Sequence, residues 1–301
     1  MPAYRTSVQP TQSYARGVVL VALGMAVSST IGLGVRSIDQ ATPWQILMYR
    51  SLGTVGFIAA VLIVRNAAEF SASIRQLKLP AIVGGLGLML ASCGVIVAFH
   101  HTTVANAFFL VATAPFFAAL LGAAFLAEKV RPEAWIAILL GLVGVAIMVG
   151  DGLSRGNIWG NVAGLIAAFG LALFAVALRW SRSTDLLVLA LAGGGLTFVV
   201  AATATIVSGV GFSVTVPDLV ISLAMGAFQL GCALLLITAG STSVPAAEIA
   251  LLGLVEIVLA PIWVWLVFGE NVGLLTLLGG ATVMCALLFD TVSGMRPVRG
   301  K

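Results

Sequence analysis

One carboxylate, Glu256, stands in the middle of a long apolar stretch of the sequence. It is the only charged residue between Glu248 and Glu270. An ionisable side chain in such surroundings is costly, which makes it a candidate functional group. Glu256 can accept the ammonium group of a substrate or carry a coupling proton, and it can equally form a structural hydrogen bond to a neighbouring helix. The sequence leaves these three roles open.

Neutral polar and aromatic side chains in other apolar stretches are candidates for contact with a small molecule. Contacts of this kind suit a ligand that is bound and then released. Hydrogen bonding between helices explains each polar residue equally well, and packing explains each aromatic one. With Glu256, the candidate substrate-binding residues are Gln229, Ser28, Ser29, Thr30, Asn106, Phe109 and Trp263.

Two histidines and two prolines are candidates for gating or coupling. His100 and His101 end one apolar stretch, where they can titrate near neutral pH or simply lie at an interface. Pro115 and Pro261 interrupt two similar segments at corresponding positions. Paired kinks of this kind are either hinges or static bends.

A cation, Arg50, also falls inside an apolar stretch, about two helical turns from its start. Its guanidinium group can attract a carboxylate. Alternatively, its long side chain can extend outwards to the lipid headgroups.

The sequence contains no recognisable catalytic, metal or nucleotide site. Its two histidines are adjacent, no HExxH or carboxylate cluster is present, and no Walker P-loop occurs. The three cysteines have no metal-ligand spacing. We therefore expect no enzyme activity, no metal and no cofactor. A channel is also disfavoured, because no charged ring or filter motif is present.

The composition indicates an integral membrane protein. Of 301 residues, 60% are hydrophobic and only 9% are charged, and the mean hydropathy is +1.14. Soluble domains carry about 25% charged residues. The excess of apolar surface must face lipid, so the bilayer is the expected partner. The formal net charge of +4 does not suggest nucleic-acid binding.

Ten apolar stretches are long enough to cross a bilayer as helices. Connections between them are mostly short, so successive helices must run in opposite directions. The sequence thus predicts an all-α integral membrane fold with spans at about 17–35, 44–64, 81–100, 105–127, 133–150, 158–178, 186–208, 218–238, 246–268 and 273–290.

The distribution of cations predicts the orientation of these spans. Twelve of the 15 Lys and Arg residues fall on one side, with only Arg36 and Arg155 on the other and Arg50 inside a span. We therefore expect both tails, 1–16 and 291–301, to be cytoplasmic, in a multi-pass protein of the cell inner membrane. The cytoplasmic set is Arg5, Arg16, Arg65, Arg75, Lys78, Lys129, Arg131, Arg179, Arg182, Arg296, Arg299 and Lys301.

The two halves of the chain, 17–150 and 158–290, resemble each other. Each contains an apolar helix that ends in a single glutamate, Glu128 or Glu270, followed by a short turn and a Gly-rich helix. Gly17 and Arg36 have the same separation as Gly160 and Arg179. Because each half has five helices, an odd number, the two repeats must have opposite topology. Inverted repeats are a common device of transporters.

These residues resemble the drug/metabolite transporter superfamily, in its EamA branch. Pro115 stands 13 residues before Glu128, and Gly269 and Glu270 supply the Gly-Glu pair of that family's repeat. Ala127 replaces the corresponding glycine in the first half, and Ile257 stands where a proline often follows Glu256.

The resemblance implies a ten-helix carrier that moves a small molecule through a central cavity by alternating access. It implies that the third, fourth, eighth and ninth spans line the cavity, with parts of the first and sixth. Amino-acid export is the activity that we expect. Transport of drugs or other metabolites is the alternative, and the oligomeric state is left open.

Overall fold

The fold is a bundle of helices whose bounds follow the apolar stretches of the sequence. The computed structural model describes residues 12–75, 79–128, 130–154, 158–181 and 186–294, and no strand occurs among them. The helices are α1 (Gln12–Ser28), α2 (Ile31–Arg36), α3 (Pro43–Arg75), α4 (Leu79–His101), α5 (Val104–Val111), α6 (Ala114–Leu126), α7 (Pro132–Ser154), α8 (Ile158–Ser181), α9 (Leu186–Val207), α10 (Val216–Ala224), a π-helix (Met225–Cys232), α11 (Ala233–Ser241), α12 (Ala246–Phe268) and α13 (Leu274–Gly294).

Ten membrane spans are confirmed within the described part of the chain, since ten helical segments are long and apolar enough to cross a bilayer. Several bounds differ from those predicted. Helix α1 already begins at Gln12 and α13 continues to Gly294, so parts of both expected tails are helical. Helix α3 continues to Arg75, beyond the predicted end of the second span.

Part of the basis for the predicted orientation lies outside the described residues. The same holds for positions 1–11 and 295–301 of the two predicted tails. The cations concerned are Arg5, Lys78, Lys129, Arg155, Arg182, Arg296, Arg299 and Lys301.

Three of the spans are interrupted inside the bundle, which the apolar pattern did not reveal. The first span breaks at Ser29 and Thr30, between α1 and α2, and the fourth breaks at Ala112 and Thr113, between α5 and α6. The eighth span passes through the π-helix between α10 and α11. Interrupted helices free backbone groups at membrane depth, and in transporters they mark binding sites.

The packing of the helices repeats between the two halves. Helix α4 of the first half packs along α8 of the second, and α1 packs in the same way along the π-helix and α11. The pairs α3 with α9 and α7 with α13 join equivalent helices of the two halves. This arrangement agrees with two inverted five-helix repeats.

The two ends of the bundle differ in how tightly they are closed. We call the end where α1 begins and α13 ends the terminal face, and the end where α2 stops at Arg36 the far face. The main cluster of buried apolar side chains lies in the far half, where it includes Leu47, Phe99, Val104 and Val264. Buried apolar packing is therefore concentrated in the far half.

Candidate functional site

A cavity of about 500 Å³ lies in the other half of the bundle. It separates the interrupted fourth span from α12 and α13, and α8 forms a further wall. Most of the lining is apolar, and it includes the interruption of the fourth span at Ala112 and Pro115. The lining residues are Phe108, Val111, Ala112, Pro115, Arg131, Leu171, Gly253, Leu254, Glu256, Ile257, Leu287, Asp290 and Thr291.

The mouth of the cavity lies at the terminal face. Arg131 and Asp290 line it there, and their side chains form an ion pair with a distance of 2.8 Å between Nη2 and Oδ1. These side chains are 43% and 23% exposed. A solvated pair of this kind adds little stability, but it places one charge of each sign at the entrance.

Glu256 lies deeper in the cavity, halfway along α12. The hydroxyl group of Ser28 donates a hydrogen bond to its Oε1 at 2.7 Å. Ser28 is the last residue of α1, directly before the break in the first span. The interruption therefore brings a polar side chain to the one carboxylate in the middle of α12.

A chain of hydrogen bonds continues from Ser28 to Arg50. The side-chain amide of Gln229 donates to the backbone carbonyl of Ser28 at 2.9 Å. In turn, Nη2 of Arg50 donates to Oε1 of Gln229 at 3.3 Å. Gln229 belongs to the π-helix, whose wider turn re-aims side chains relative to an α-helix and is frequent at functional sites. Two interrupted or irregular elements, the first span and the π-helix, thus join the acidic and basic groups of the membrane interior.

A second, shallower groove of about 420 Å³ lies between the first span and the π-helix. Thr30, Gly34, Met225, Phe228 and Gln229 are among its lining residues. Gln229 thus lies in the wall of the groove and also in the hydrogen-bond chain that ends at Glu256.

The far face is closed by a network around Arg36. Its guanidinium group forms an ion pair with Glu270 at 2.8 Å and donates to the backbone carbonyls of Phe99 and Thr102. The other oxygen of Glu270 accepts from the N–H of Val104 at 2.7 Å. This network ties the ends of α2, α4 and α12 to the start of α5.

An equivalent ion pair lies at the terminal face, between Arg179 and Glu128, also at 2.8 Å. Arg179 donates in addition to the carbonyl of Ala118. Both side chains are more than 40% exposed, against 28% and 17% for Arg36 and Glu270. The pair at the far face is therefore the better shielded of the two.

Among the predicted substrate-binding residues, Glu256 lines the cavity. Gln229 is linked to Glu256 by hydrogen bonds through Ser28. Ser29 is buried and accepts a hydrogen bond from Nε1 of Trp263 at 3.0 Å. Thr30 lines the shallow groove and donates to the carbonyl of Val27.

Asn106 and Phe109 lie apart from this group. The amide of Asn106 donates to Asn161 at 2.6 Å, near the far face. The ring of Phe109 packs against Gly280 of α13, and its neighbour Phe108 lines the cavity instead.

The residues predicted for gating or coupling are divided between the two halves of the bundle. His100 and His101 are exposed at the far face, where their rings pack edge to face. Pro115 lines the cavity beside the break in the fourth span. Pro261 lies inside α12, which continues past it as one helix. Their roles in gating stay predictions.

Several lining residues were not predicted. Arg131, Leu171, Leu287, Asp290 and Thr291 come from the fifth, sixth and tenth spans or their ends. The resemblance implied a cavity bounded by the third and eighth spans, but no described residue of either span lines this one. The partner of Arg131 is far away in the sequence, so no local pattern signals the pair. For Asp290 and Thr291, the only signal in the sequence is that both are polar residues at the end of an apolar helix.

The comparisons with known proteins agree with this architecture. Residues 15–150 match the model of the EamA-like transporter family. A search of the curated proteins found none that matches. Several solved structures are similar. A crystal structure of a protein is among them, with a TM-score of 0.63 and 18% sequence identity over 94% of this chain and 100% of that chain. At this identity the similarity establishes the fold alone.

The family match and the ten apolar helices support a multi-pass membrane protein that transports small molecules. The chain has an all-α integral membrane fold, and residues 15–150 of it are similar to the EamA-like transporter family.

Proposed function

We propose that this chain is a secondary transporter of the EamA branch that exports amino acids by alternating access through its central cavity. The observation that carries the proposal is a cavity that reaches the half-buried carboxylate Glu256 from the terminal face. The terminal half is open at Arg131 and Asp290, while the far half is filled by packed apolar side chains. A channel would need a polar path through both halves at once.

Inverted repeats supply the exchange between two such states. In two equivalent bundles of opposite topology, the packing that closes one face has a counterpart that can close the other. The ion pairs Arg36–Glu270 and Arg179–Glu128 are such counterparts. The arrangement described above then corresponds to a carrier open at its terminal face.

The expected orientation makes the terminal face cytoplasmic. Exposed cations of the described residues at this face include Arg16, Arg65, Arg131 and Arg179, and cytoplasmic loops are rich in such residues. In an exporter, the conformation whose cavity opens to the cytoplasm is the one that loads the substrate. We propose this location and direction for the chain.

The chemistry of the cavity suits a small amine with an apolar body. Glu256 offers a carboxylate for the ammonium group, and Val111, Leu254 and Ile257 offer an apolar wall. Amino acids with apolar side chains meet both requirements. Three of the other substrate candidates act around this position: Gln229 and Ser29 fix the backbone break beside Glu256, and Trp263 supports Ser29.

Lipophilic drugs are the second candidate class. An apolar cavity with a single carboxylate also fits an amphiphilic cation that has no carboxylate of its own. The two classes share the ammonium site at Glu256 and differ in whether the transporter recognises an anionic group.

Uptake of radiolabelled amino acids into proteoliposomes that contain the purified protein tests the proposal. We expect saturable uptake of at least one apolar amino acid above empty liposomes. The variant Gly253→Trp should abolish it, because Gly253 lines the cavity and a Cβ atom there would meet only Cε of Met25, at 4.0 Å. Val258→Trp, at a lipid-exposed position of the same helix, is the matched control and should retain uptake.

Absence of uptake of any amino acid by folded, inserted protein would contradict amino-acid transport. Saturable uptake of cationic drugs by the same vesicles would then favour the second class. Equal uptake by the two tryptophan variants would instead show that substrate does not pass through this cavity.

A further inference from the structure

Arg50 is a cation buried deep in the helical bundle. Its side chain lies in the first half of α3 and the residue is only 5% exposed. This burial excludes the interpretation that the side chain extends to the headgroups. The guanidinium group lies instead within electrostatic range of Glu256 and of the Cys93 thiol.

The guanidinium group of Arg50 lacks acceptors. Arginine has five N–H donors in a planar fork that matches a carboxylate. Among the described residues, its side chain has one hydrogen-bond acceptor, Oε1 of Gln229, at the long distance of 3.3 Å. The buried Nε has no partner, and no described carboxylate lies within ion-pairing distance.

A buried cation in this condition is expensive, because neither water nor a counter-ion compensates for its lost hydration. Such a group is retained where something else supplies the anion during function. A planar anion of carboxylate type would fill the free side of the fork and neutralise the charge.

The hydrogen-bond chain places this vacant cation and the carboxylate of Glu256 at two ends of one short polar path. Glu256 is held by Ser28, and Arg50 is held by Gln229, which also bonds to Ser28. A molecule that carries both an ammonium and a carboxylate group can replace the two links at the ends of this path, Ser28–Glu256 and Gln229–Arg50. Its ammonium takes the position of the Ser28 hydroxyl at Glu256, and its carboxylate takes that of the Gln229 amide oxygen at Arg50.

We propose that Arg50 and Glu256 are the two poles of one binding site for a zwitterionic α-amino acid, with the carboxylate bound by Arg50 and the ammonium by Glu256. This inference rests on the proposed function and narrows its substrate class. A ligand with only an ammonium group, or with only a carboxylate group, would leave one of the two poles without a partner. Ser28, at the break of the first span, is the residue that moves aside when the substrate enters from the cavity.

Competition against uptake of radiolabelled L-phenylalanine tests the two poles in the wild-type protein. The competitors are unlabelled L-phenylalanine, 2-phenylethylamine, which lacks the carboxylate, and 3-phenylpropionate, which lacks the ammonium. Each analogue loses a charge-assisted contact, so we expect each to inhibit at least about tenfold more weakly than the amino acid. If L-phenylalanine is not taken up, the same set is built on L-leucine.

The outcomes separate this inference from the proposed function. If 2-phenylethylamine competes as well as the amino acid, Arg50 does not bind the carboxylate, although the protein still takes up the amino acid. If the protein takes up neither L-phenylalanine, L-leucine nor any other amino acid, both proposals fail together.

The variant Arg50→Gln gives the residue-level test. It should raise the concentration of L-phenylalanine needed for half-maximal uptake about tenfold or more and leave inhibition by 2-phenylethylamine nearly unchanged. A structural role alone would reduce the amount of active protein without changing this ratio. Arg50→Lys should keep part of the preference for the amino acid.

Arg16→Gln is the matched control, since it removes an exposed cation at the start of the same bundle. It should leave the ratio of the two inhibitory concentrations at the wild-type value. An unchanged ratio in folded Arg50→Gln protein would overturn the proposal.

Discussion

The guanidinium group of Arg36 and the carboxylate of Glu270 lie 2.8 Å apart at the far face, and they join the first span of one repeat to the ninth span of the other. Arg179 and Glu128 repeat this relationship at the terminal face with the two repeats exchanged. Each pair therefore crosses between the two halves at one of the two faces of the bundle. The better-shielded pair lies at the face that is closed.

Loss of the carboxylate of Glu270 should loosen the far face. In Glu270→Gln, Arg36 and the N–H of Val104 lose a charged acceptor, at a cost of about 1.5 kcal/mol to the closed state. A cysteine placed at Ala107, which is fully buried in the far half, should react about tenfold faster with an impermeant maleimide. The measurement uses a background in which Cys93, Cys232 and Cys285 are alanine.

The matched control for this experiment is Glu128→Gln at the terminal face. It removes the equivalent but more exposed ion pair, and it should not accelerate labelling at position 107. If both variants react at the wild-type rate, the ion pair does not hold the far face closed. Reversing the charges of Arg36 and Glu270 together should not restore closure, because Arg36 also donates to two backbone carbonyls.

The ten spans and their alternating directions could be predicted because bilayer thickness fixes the length of an apolar helix. The matching of Arg36 with Arg179 and of Glu128 with Glu270 was also visible in the sequence. Their pairing was not visible, because the matched residues are not the bonded ones. Each arginine bonds to the glutamate of the opposite repeat.

The break at Ser29 and the π-helix around Gln229 could not be predicted from periodicity. A continuous and an interrupted helix of small apolar residues have the same hydropathy. The bonds that accompany the break involve partners more than 200 positions away in the sequence, Glu256, Gln229 and Trp263. The importance of Arg50 was hidden for the same reason, since its burial depends on packing against the eighth span.

Replacement of Glu256 by glutamine tests proton coupling. The variant keeps the shape of the side chain and an acceptor for the Ser28 hydroxyl, but it cannot bind and release a proton. If Glu256 is the coupling group, a pH gradient that stimulates uptake in the wild-type protein should have no effect in Glu256→Gln. Uptake is measured in proteoliposomes with and without the gradient.

Glu248→Gln provides the comparison on the same helix. Glu248 lies in the first turn of α12, where it accepts a hydrogen bond from Tyr14, and its replacement should preserve stimulation by the gradient. An unchanged response to the gradient in Glu256→Gln would show that this carboxylate does not carry the coupling proton.

The close approach of α3 to the eighth span should make Gly53 intolerant of any side chain. A Cβ atom at Gly53 would lie 2.3 Å from the carbonyl oxygen of Leu223, whereas one at Gly56 would meet nothing within 4 Å. Gly53→Ala must separate the two helices, at a cost of about 1–3 kcal/mol. Gly56→Ala should be neutral or slightly stabilising, because alanine favours the helix. Thermal unfolding in detergent compares the two.

A melting temperature that falls equally in both alanine variants would contradict the packing of α3 on the eighth span. The same pair of variants also has a functional use. Gly53 lies one turn after Arg50, so a displaced helix should weaken amino-acid binding together with stability.

The ends of α6 and α12 offer a test in which backbone conformation is almost the only variable. Both helices end on a residue in the left-handed region: Ala127 with φ of 53° and Gly269 with φ of 64°. Alanine pays roughly 1–2 kcal/mol for this conformation and glycine pays almost nothing. Both positions are exposed, and a Cβ atom at Gly269 would meet nothing within 4 Å.

Ala127→Gly should therefore stabilise the protein by about 1 kcal/mol, and Gly269→Ala should destabilise it by a similar amount. Thermal unfolding of the two variants and of the double exchange, which should cancel, would check this. A loss of stability in Ala127→Gly would show that α6 does not end in a left-handed residue.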